Sequence, residues 1–295
     1  MAIISTTITG DMLSNAGFRA WATAFSNMFS GHWVQTADTG QIDLGVVTLP
    51  GTTYTSIGYQ IWRMNDSLQA TMPCYLRVDY STGEYSTYAH IIFTVGTGTD
   101  GAGTITLSNG GTPFRFGFNS QASSATGFLT KGSVDTNRIC FKCYMGSSNY
   151  CFTFCIERTH NSVGADTSAG IMVFFMTQST CPELSAAVGA SSFVISPTTA
   201  TPNYQYWNIA MPLIVTSAAF SNSVFTFPIR TWGQGETSPS LNLTMYFLTD
   251  LTSNNVTPIT LWDSYTHNML PQGTPIAGVS FGSTSSNTAI AMRYE

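Results

Sequence analysis

Residues 140–155 read CFKCYMGSSNYCFTFC: two aromatic, cysteine-bearing runs separated by Gly-Ser-Ser-Asn. Three structures compete for such a stretch: a metal site with C-x2-C and C-x3-C ligand pairs, a disulfide clamp, and a β-hairpin that uses cysteine as a small hydrophobe. The turn chemistry favours the hairpin, with Ser147 and Ser148 at its tip. That register sets Cys143 opposite Phe152 and Cys140 opposite Cys155. Side chains alternate faces along a strand. Ile139, Phe141, Cys143 and Met145 therefore share an apolar face with Ile156, Phe154, Phe152 and Tyr150, and Cys140 and Cys155 stand on the other. Cys140 and Cys143, an odd number of positions apart, point to opposite faces, and a tetrahedral site cannot easily collect sulfurs from both sides of one sheet.

Cys140 and Cys155 are thus a candidate cross-strand pair. The opening MAIISTTITG has no basic residue before its apolar positions, so no secretory signal is expected. In the cytosol thiols stay reduced. The expectation is two reduced thiols, with oxidation only after release from the cell. Cys74 and Cys181 have no sequence partner and read as small buried hydrophobes.

Working outward, short segments rich in β-branched and aromatic residues recur along the chain: IGYQIW, PCYLRVDY, YAHIIFTV, GTITL, FRFGF, GIMVFFM, YWNIAMPLIV, SVFTFPI, LTMYFL and PITLW. Turn-forming stretches such as STGE, SNGGTP and SVGADTSAG separate them. This spacing predicts a mainly β fold, sandwich- or jelly-roll-like. One segment has helical periodicity instead. Leu13, Phe18, Trp21, Phe25, Met28 and Phe29 fall on one stripe, with start signals at Thr9, Gly10 and Asp11 and a stop at Gly31. The expected organisation is an N-terminal arm over 1–50 with an amphipathic helix at about 11–30, and a β-sandwich core over 51–184. Residues 185–295 continue the β region or form a second small β domain.

Charged residues make up 8% of the 295 residues, against roughly 25% in typical soluble domains. The ten Lys and Arg are scattered and the net charge is −5, so no basic stripe exists to displace counterions from a nucleic acid. No apolar run approaches the length of a membrane-spanning helix. Interspersed charge keeps a lone subunit soluble and blunts sheet edges. A β-rich chain without it is better suited to surfaces covered by neighbours. Packing of the helix stripe on its own sheet is one outcome; the sharper expectation is an assembly interface formed by Phe18, Trp21, Phe25 and Phe29.

Motifs for chemistry are weak. GTGTDG at 96–101 is a literal G-x-G-x-x-G, but turn and strand residues follow it where a dinucleotide site needs a helix; Asp100-Gly101 reads as a hairpin turn. His32, His90, His160 and His267 have no metal-ligand spacing, and His90 within a strand reads as structural. Glu157, Arg158, His160 and Asp166 form the densest polar cluster, expected to be a strand end and an ordered loop. No G-x-S-x-G elbow occurs, and no spacing pairs two carboxylates for glycoside hydrolysis. Tyr204, Trp207 and Trp232 are candidate glycan-stacking residues in the 200–275 region.

Several stretches together, FRAWATAFSNMFSGHWVQTADTGQIDLGVVTLPGTTYTSIGYQIWRMNDSLQATMPCYLRVDY, FTVGTGTDGAGTI, CIERTHNSVGADTSAGIMVF and the final AIAMRYE, resemble a group of tailed-bacteriophage virion structural proteins associated with the tail or baseplate. The likeness is strongest over residues 11–180; the clustered cysteines depart from it. It implies a non-enzymatic, homo-oligomeric part of the virion (tail, baseplate or fibre region), made in the host cytoplasm. Its partners would be its own copies and other virion proteins, and it would need no cofactor. Two other placements stand beside this: a head decoration or neck protein, and a receptor- or glycan-binding module acting on a host-surface glycan.

Overall fold

The computed structural model describes residues 4–10, 14–82, 89–120, 128–144, 151–160, 165–177, 190–195, 203–204, 219–221, 224–231, 240–249, 259–260, 266–269 and 289–293. In chain order these form β1 (Ile4–Gly10), α1 (Asn15–Phe29), β2 (Val34–Gln35), β3 (Ser56–Arg63), β4 (Tyr75–Thr82), β5 (Ala89–Gly96), β6 (Gly98–Thr99), β7 (Ile105–Thr106) and β8 (Phe114–Ser120). There follow β9 (Phe128–Asp135), β10 (Arg138–Tyr144), β11 (Cys151–His160), β12 (Asp166–Thr177), β13 (Ala190–Ile195) and β14 (Asn203–Tyr204). The last are β15 (Ala219–Ser221), β16 (Val224–Thr231), β17 (Ser240–Thr249), β18 (Ile259–Thr260), β19 (Thr266–Met269) and β20 (Ala289–Arg293). Among the described residues the protein is mainly β, with antiparallel pairing between its strands and one α-helix near the N-terminus, as the sequence predicts.

The strands make a seven-stranded sheet in the order β1-β9-β10-β11-β12-β13-β14, a five-stranded sheet β2-β3-β4-β5-β8 and a six-stranded sheet β15-β16-β17-β20-β19-β18. A small β6–β7 ribbon completes the set. The first two sheets face each other as a sandwich. Aromatic rings interlock across the gap: Phe93 lies 4.4 Å from Phe154, and Phe116 stacks on Phe175 at 5.3 Å between centroids. Alternation explains the division of faces. On β4, Leu76, Val78 and Tyr80 are buried in the core and Tyr75, Arg77 and Asp79 are half-buried on the outer side.

The helix forms inside this sandwich. Ser14 is its N-cap, with Oγ accepting from the Gly17 N–H at 3.0 Å, which satisfies one of the orphan donors of the first turn. This corrects the expected start: Thr9 and Gly10 belong to β1, and Asp11 lies outside the described residues. Gly31, at φ +88°, ends the helix as expected, because the left-handed turn there costs glycine nothing.

A second correction concerns the helix stripe. Phe18, Trp21 and Phe25 are 0% exposed and Phe29 is 1% exposed within the single chain. Phe18 and Trp21 meet Tyr80 edge-on, Phe25 meets Phe141 at 4.7 Å, and Phe29 stacks on Trp62 at 5.2 Å. The stripe thus contacts both sheets, with each side chain stabilising the fold by about 1.5–3 kcal/mol on burial. It is not left over for a neighbouring subunit, because a helix lying between two apolar sheet faces finds its partners at home. A buried polar chain fixes the helix further: the Tyr80 hydroxyl donates to Gln60, whose amide donates to Ser26 Oγ on α1.

The expected boundaries at 50 and 184 do not coincide with sheet boundaries. β1 is no free arm but pairs with β9 as the edge of the seven-stranded sheet, and β13 and β14 extend the same sheet past residue 184. Strands β15–β20 form a sheet of their own. The predicted strand YWNIAMPLIV lies outside the described residues.

Candidate functional site

The hairpin of residues 138–157 has the register its sequence predicts. Cys140 pairs with Cys155, Phe141 with Phe154 and Cys143 with Phe152, without a bulge. Ile139, Phe141, Phe154 and Ile156 lie in the core between the sheets. Cys140 and Cys155 are on the opposite face, yet both are fully buried, and neither is in a disulfide. Strand β17 approaches β11. Among the described residues no group of three or more His, Cys, Asp or Glu gathers in a way that could hold a metal ion.

The polar cluster found in the sequence assembles at one end of the seven-stranded sheet. Glu157 and Arg158 lie in the last four residues of β11, and His160, its final residue, stands opposite Asp166 of β12 across a register shift. The two-residue β9–β10 turn brings in Asp135, Asn137 and Arg138. Arg138 lies opposite Glu157 in the ladder and 3.6 Å from Asp135, and the Asn137 amide donates to Asp166.

Arg158 reaches across to the other sheet. Its Nε and Nη2 each donate at 2.8 Å to the two oxygens of Asp66, and Nη1 donates to the Met72 carbonyl. The same β3–β4 connection donates the Asn65 N–H to Thr136, and the Trp33 indole donates to the Asp135 carbonyl at 2.9 Å. Cys74 completes this corner. Burial pushes its thiol up to about 12, the Asp66 carboxylate adds to the rise and Arg158 opposes it. At neutral pH it is a thiol and a poor nucleophile. Arg158 and Asp66, Arg138 and Asp135, and Asn137 and Asp166 are turned toward one another within the chain, so these pairs act as a clamp.

A second knot covers the outer face of the five-stranded sheet. Arg77 pairs with Asp79, donates to the Gly103 carbonyl and sits 3.9 Å over the Tyr59 ring. The buried Asp38 accepts from Thr99 Oγ1 at 3.1 Å and from the Gly103 N–H. The G-x-G-x-x-G stretch is part of this knot: β6 and β7 pair around residues 100–104, and Asp100 Oδ1 accepts the N–H groups of Ala102 and Thr104 at 2.8 Å each. The hairpin is as predicted, with a longer loop than Asp-Gly alone would make. Gly96 allows it to close down, since a Cβ there would run into Ile105 and the Thr106 carbonyl.

The remaining candidates do not converge. His90 is buried on β5 with its ring beside Tyr54, His32 is half-buried after the helix, and His267 is opposite Arg293 on β19. Tyr204 is in β14, and Trp207 and Trp232 lie outside the described residues, as does Cys181. The Asp66–Arg158 pair was missed in the sequence because 92 positions separate its members and no local pattern joins them. No known family model matches the chain, and no curated protein matches it.

Proposed function

We propose that this chain is a non-enzymatic structural component of a tailed-bacteriophage particle, in its tail, baseplate or fibre region, working by assembly with its own copies and with other particle proteins. The observation that carries the assembly role is where the few charges go. Arg19 donates to the Val46 and Val47 carbonyls; Arg77, Arg138 and Arg158 pair with Asp79, Asp135 and Asp66. A chain with only 8% charged residues therefore uses several of its described ones in contacts within itself. Interfaces are depleted in charge for the same reason cores are: a charge buried against a neighbour must be desolvated. The phage placement rests on the resemblance of residues 11–180 and 289–295 described above. No helix of the described residues is long and apolar enough to cross a membrane.

Negative-stain imaging of whole particles with an antibody to this chain tests the proposal. Label at a fixed place on the tail or baseplate is expected. Label over the head would move the chain to a decoration or neck role, and particles that carry none of the protein would overturn the reading.

A further inference from the structure

The connection from β2 to β3 runs over residues 36–55 without helix or strand. A connection of this length in a compact fold is uncommon and usually functional. This one is held still at both its middle and its end. Arg19 of α1 donates to the Val46 and Val47 carbonyls, and Asn15 Oδ1 accepts the Leu49 N–H at 2.7 Å. Thr82 Oγ1 at the end of β4 donates to the Thr52 carbonyl at 2.7 Å and accepts the Thr55 N–H at 2.9 Å. Between these ties Tyr54 takes φ +50°, and it is the one non-glycine residue with a positive φ among the described residues. A side chain in that left-handed conformation is strained, where glycine would not be. The strained turn keeps a ring at the surface: Tyr54 is 49% exposed, and its ring centre lies 6.1 Å from that of His90, which is 2% exposed. A ring half in water contributes only part of its burial energy to folding. The fold by itself therefore gives no reason for tyrosine over glycine at this turn.

We propose that Tyr54 is the stacking platform of a binding site for an uncharged saccharide. The site goes beyond the assembly role and does not depend on it. The chemistry of the connection selects the ligand class. No charged residue occurs between Asp43 and Arg63, and Thr48, Thr52 and Thr53 are exposed beside Tyr54 in the sequence. A sugar ring offers an apolar C–H face to an aromatic ring and hydroxyls to threonine, with no charge to neutralise. An anionic ligand would find no cation on this stretch. A protein partner would meet threonine and glycine where a stable contact needs an apolar centre. Tyrosine suits the task because it supplies a large, rigid contact face at low entropic cost. A loop fixed before the ligand arrives loses little further freedom on binding, and that is the use of the ties to α1 and β4.

The test is binding of the purified full chain to an array of uncharged oligosaccharides built from hexoses and N-acetylhexosamines. The best ligand is then titrated against wild type, Tyr54→Phe and Tyr54→Gly, and the Tm of each protein is measured. Tyr54→Phe keeps the ring and is expected to bind nearly as wild type does; Tyr54→Gly is expected to bind at least about tenfold more weakly. Binding should persist at high salt, since no ion pair holds it. Tyr54→Gly should melt no lower than wild type, because glycine takes a positive φ without strain. A wild type that retains no uncharged saccharide would overturn the site, as would binding that Tyr54→Gly leaves unchanged or that salt abolishes. A Tyr54→Gly protein with a lowered Tm would assign the ring to the fold and overturn the proposal too.

Discussion

Arg158 on β11 and Asp66 in the β3–β4 connection form a two-pronged ion pair that ties the seven-stranded sheet to the five-stranded one. Arg158 is fully buried and the Asp66 side chain is 10% exposed. A guanidinium so placed is tolerable only because its hydrogens are taken by Asp66 and by the Met72 carbonyl.

Removing one member leaves the other uncompensated. Asp66→Leu is expected to cost about 3–5 kcal/mol of unfolding free energy, read from the denaturant midpoint. Asp66→Leu combined with Arg158→Met is expected to cost less than Asp66→Leu alone, because no unpaired charge stays inside. A double variant at least as unstable as the single one would show that the pair's partners, not its charges, matter.

The helix stripe carries folding before anything else. Phe25→Ala removes a ring that touches Phe29, Phe93 and Phe141, and should cost about 3–5 kcal/mol. The variant should show this as a lowered Tm in the isolated subunit. A stable, normally folded Phe25→Ala protein that merely failed to assemble would restore the stripe to an interface.

Cys140 and Cys155 can be bridged without backbone movement. Opposed residues of an antiparallel pair have Cα atoms about 4.5 or 5.5 Å apart, and both spacings fall within the range disulfides use. With glutathione disulfide as oxidant, exchange yields one intramolecular bond and two molecules of glutathione. Refolding in that oxidant should form a Cys140–Cys155 disulfide, identified by peptide mapping, and raise Tm reversibly with dithiothreitol. In the native protein the burial of both thiols should make the reaction slow. Rapid oxidation of the folded chain, or bridging to a different cysteine on refolding, would contradict the register.

The Asp100 loop should open in acid. The Thr104 hydroxyl, with the Ala102 and Thr104 N–H groups, holds the Asp100 carboxyl below its usual range. A depressed folded-state pKa stabilises the loop above the unfolded carboxyl's pKa, and that stabilisation is lost as pH falls through the folded one. Hydrogen exchange at Ala102 and Thr104 is therefore expected to lose its excess protection only as pH falls below the usual carboxylate range, compared with an Asp100→Asn variant. Equal protection in both proteins at neutral pH would remove the carboxylate from the account.

Local chemistry made part of this structure readable from the chain alone. The hairpin register followed from one turn and a period of two, which together leave Cys140 no neighbour across the ladder but Cys155. The helix was visible because Phe18, Trp21, Phe25 and Phe29 repeat at three- and four-residue steps, and its stop at Gly31 because only glycine turns left-handed cheaply. Its cap was less legible: the start signals were read at Thr9, Gly10 and Asp11, whereas Thr9 and Gly10 pair with β9 and the cap is Ser14. What covers an apolar stripe is a different kind of question. Periodicity shows that a face must be buried, but the hydrophobic effect has no direction. Only the placement of both sheets around α1 assigned that face to the chain's own core. The same holds for Arg158 and Asp66, since Coulomb attraction acts on distance in space, and the fold alone brings those two positions together.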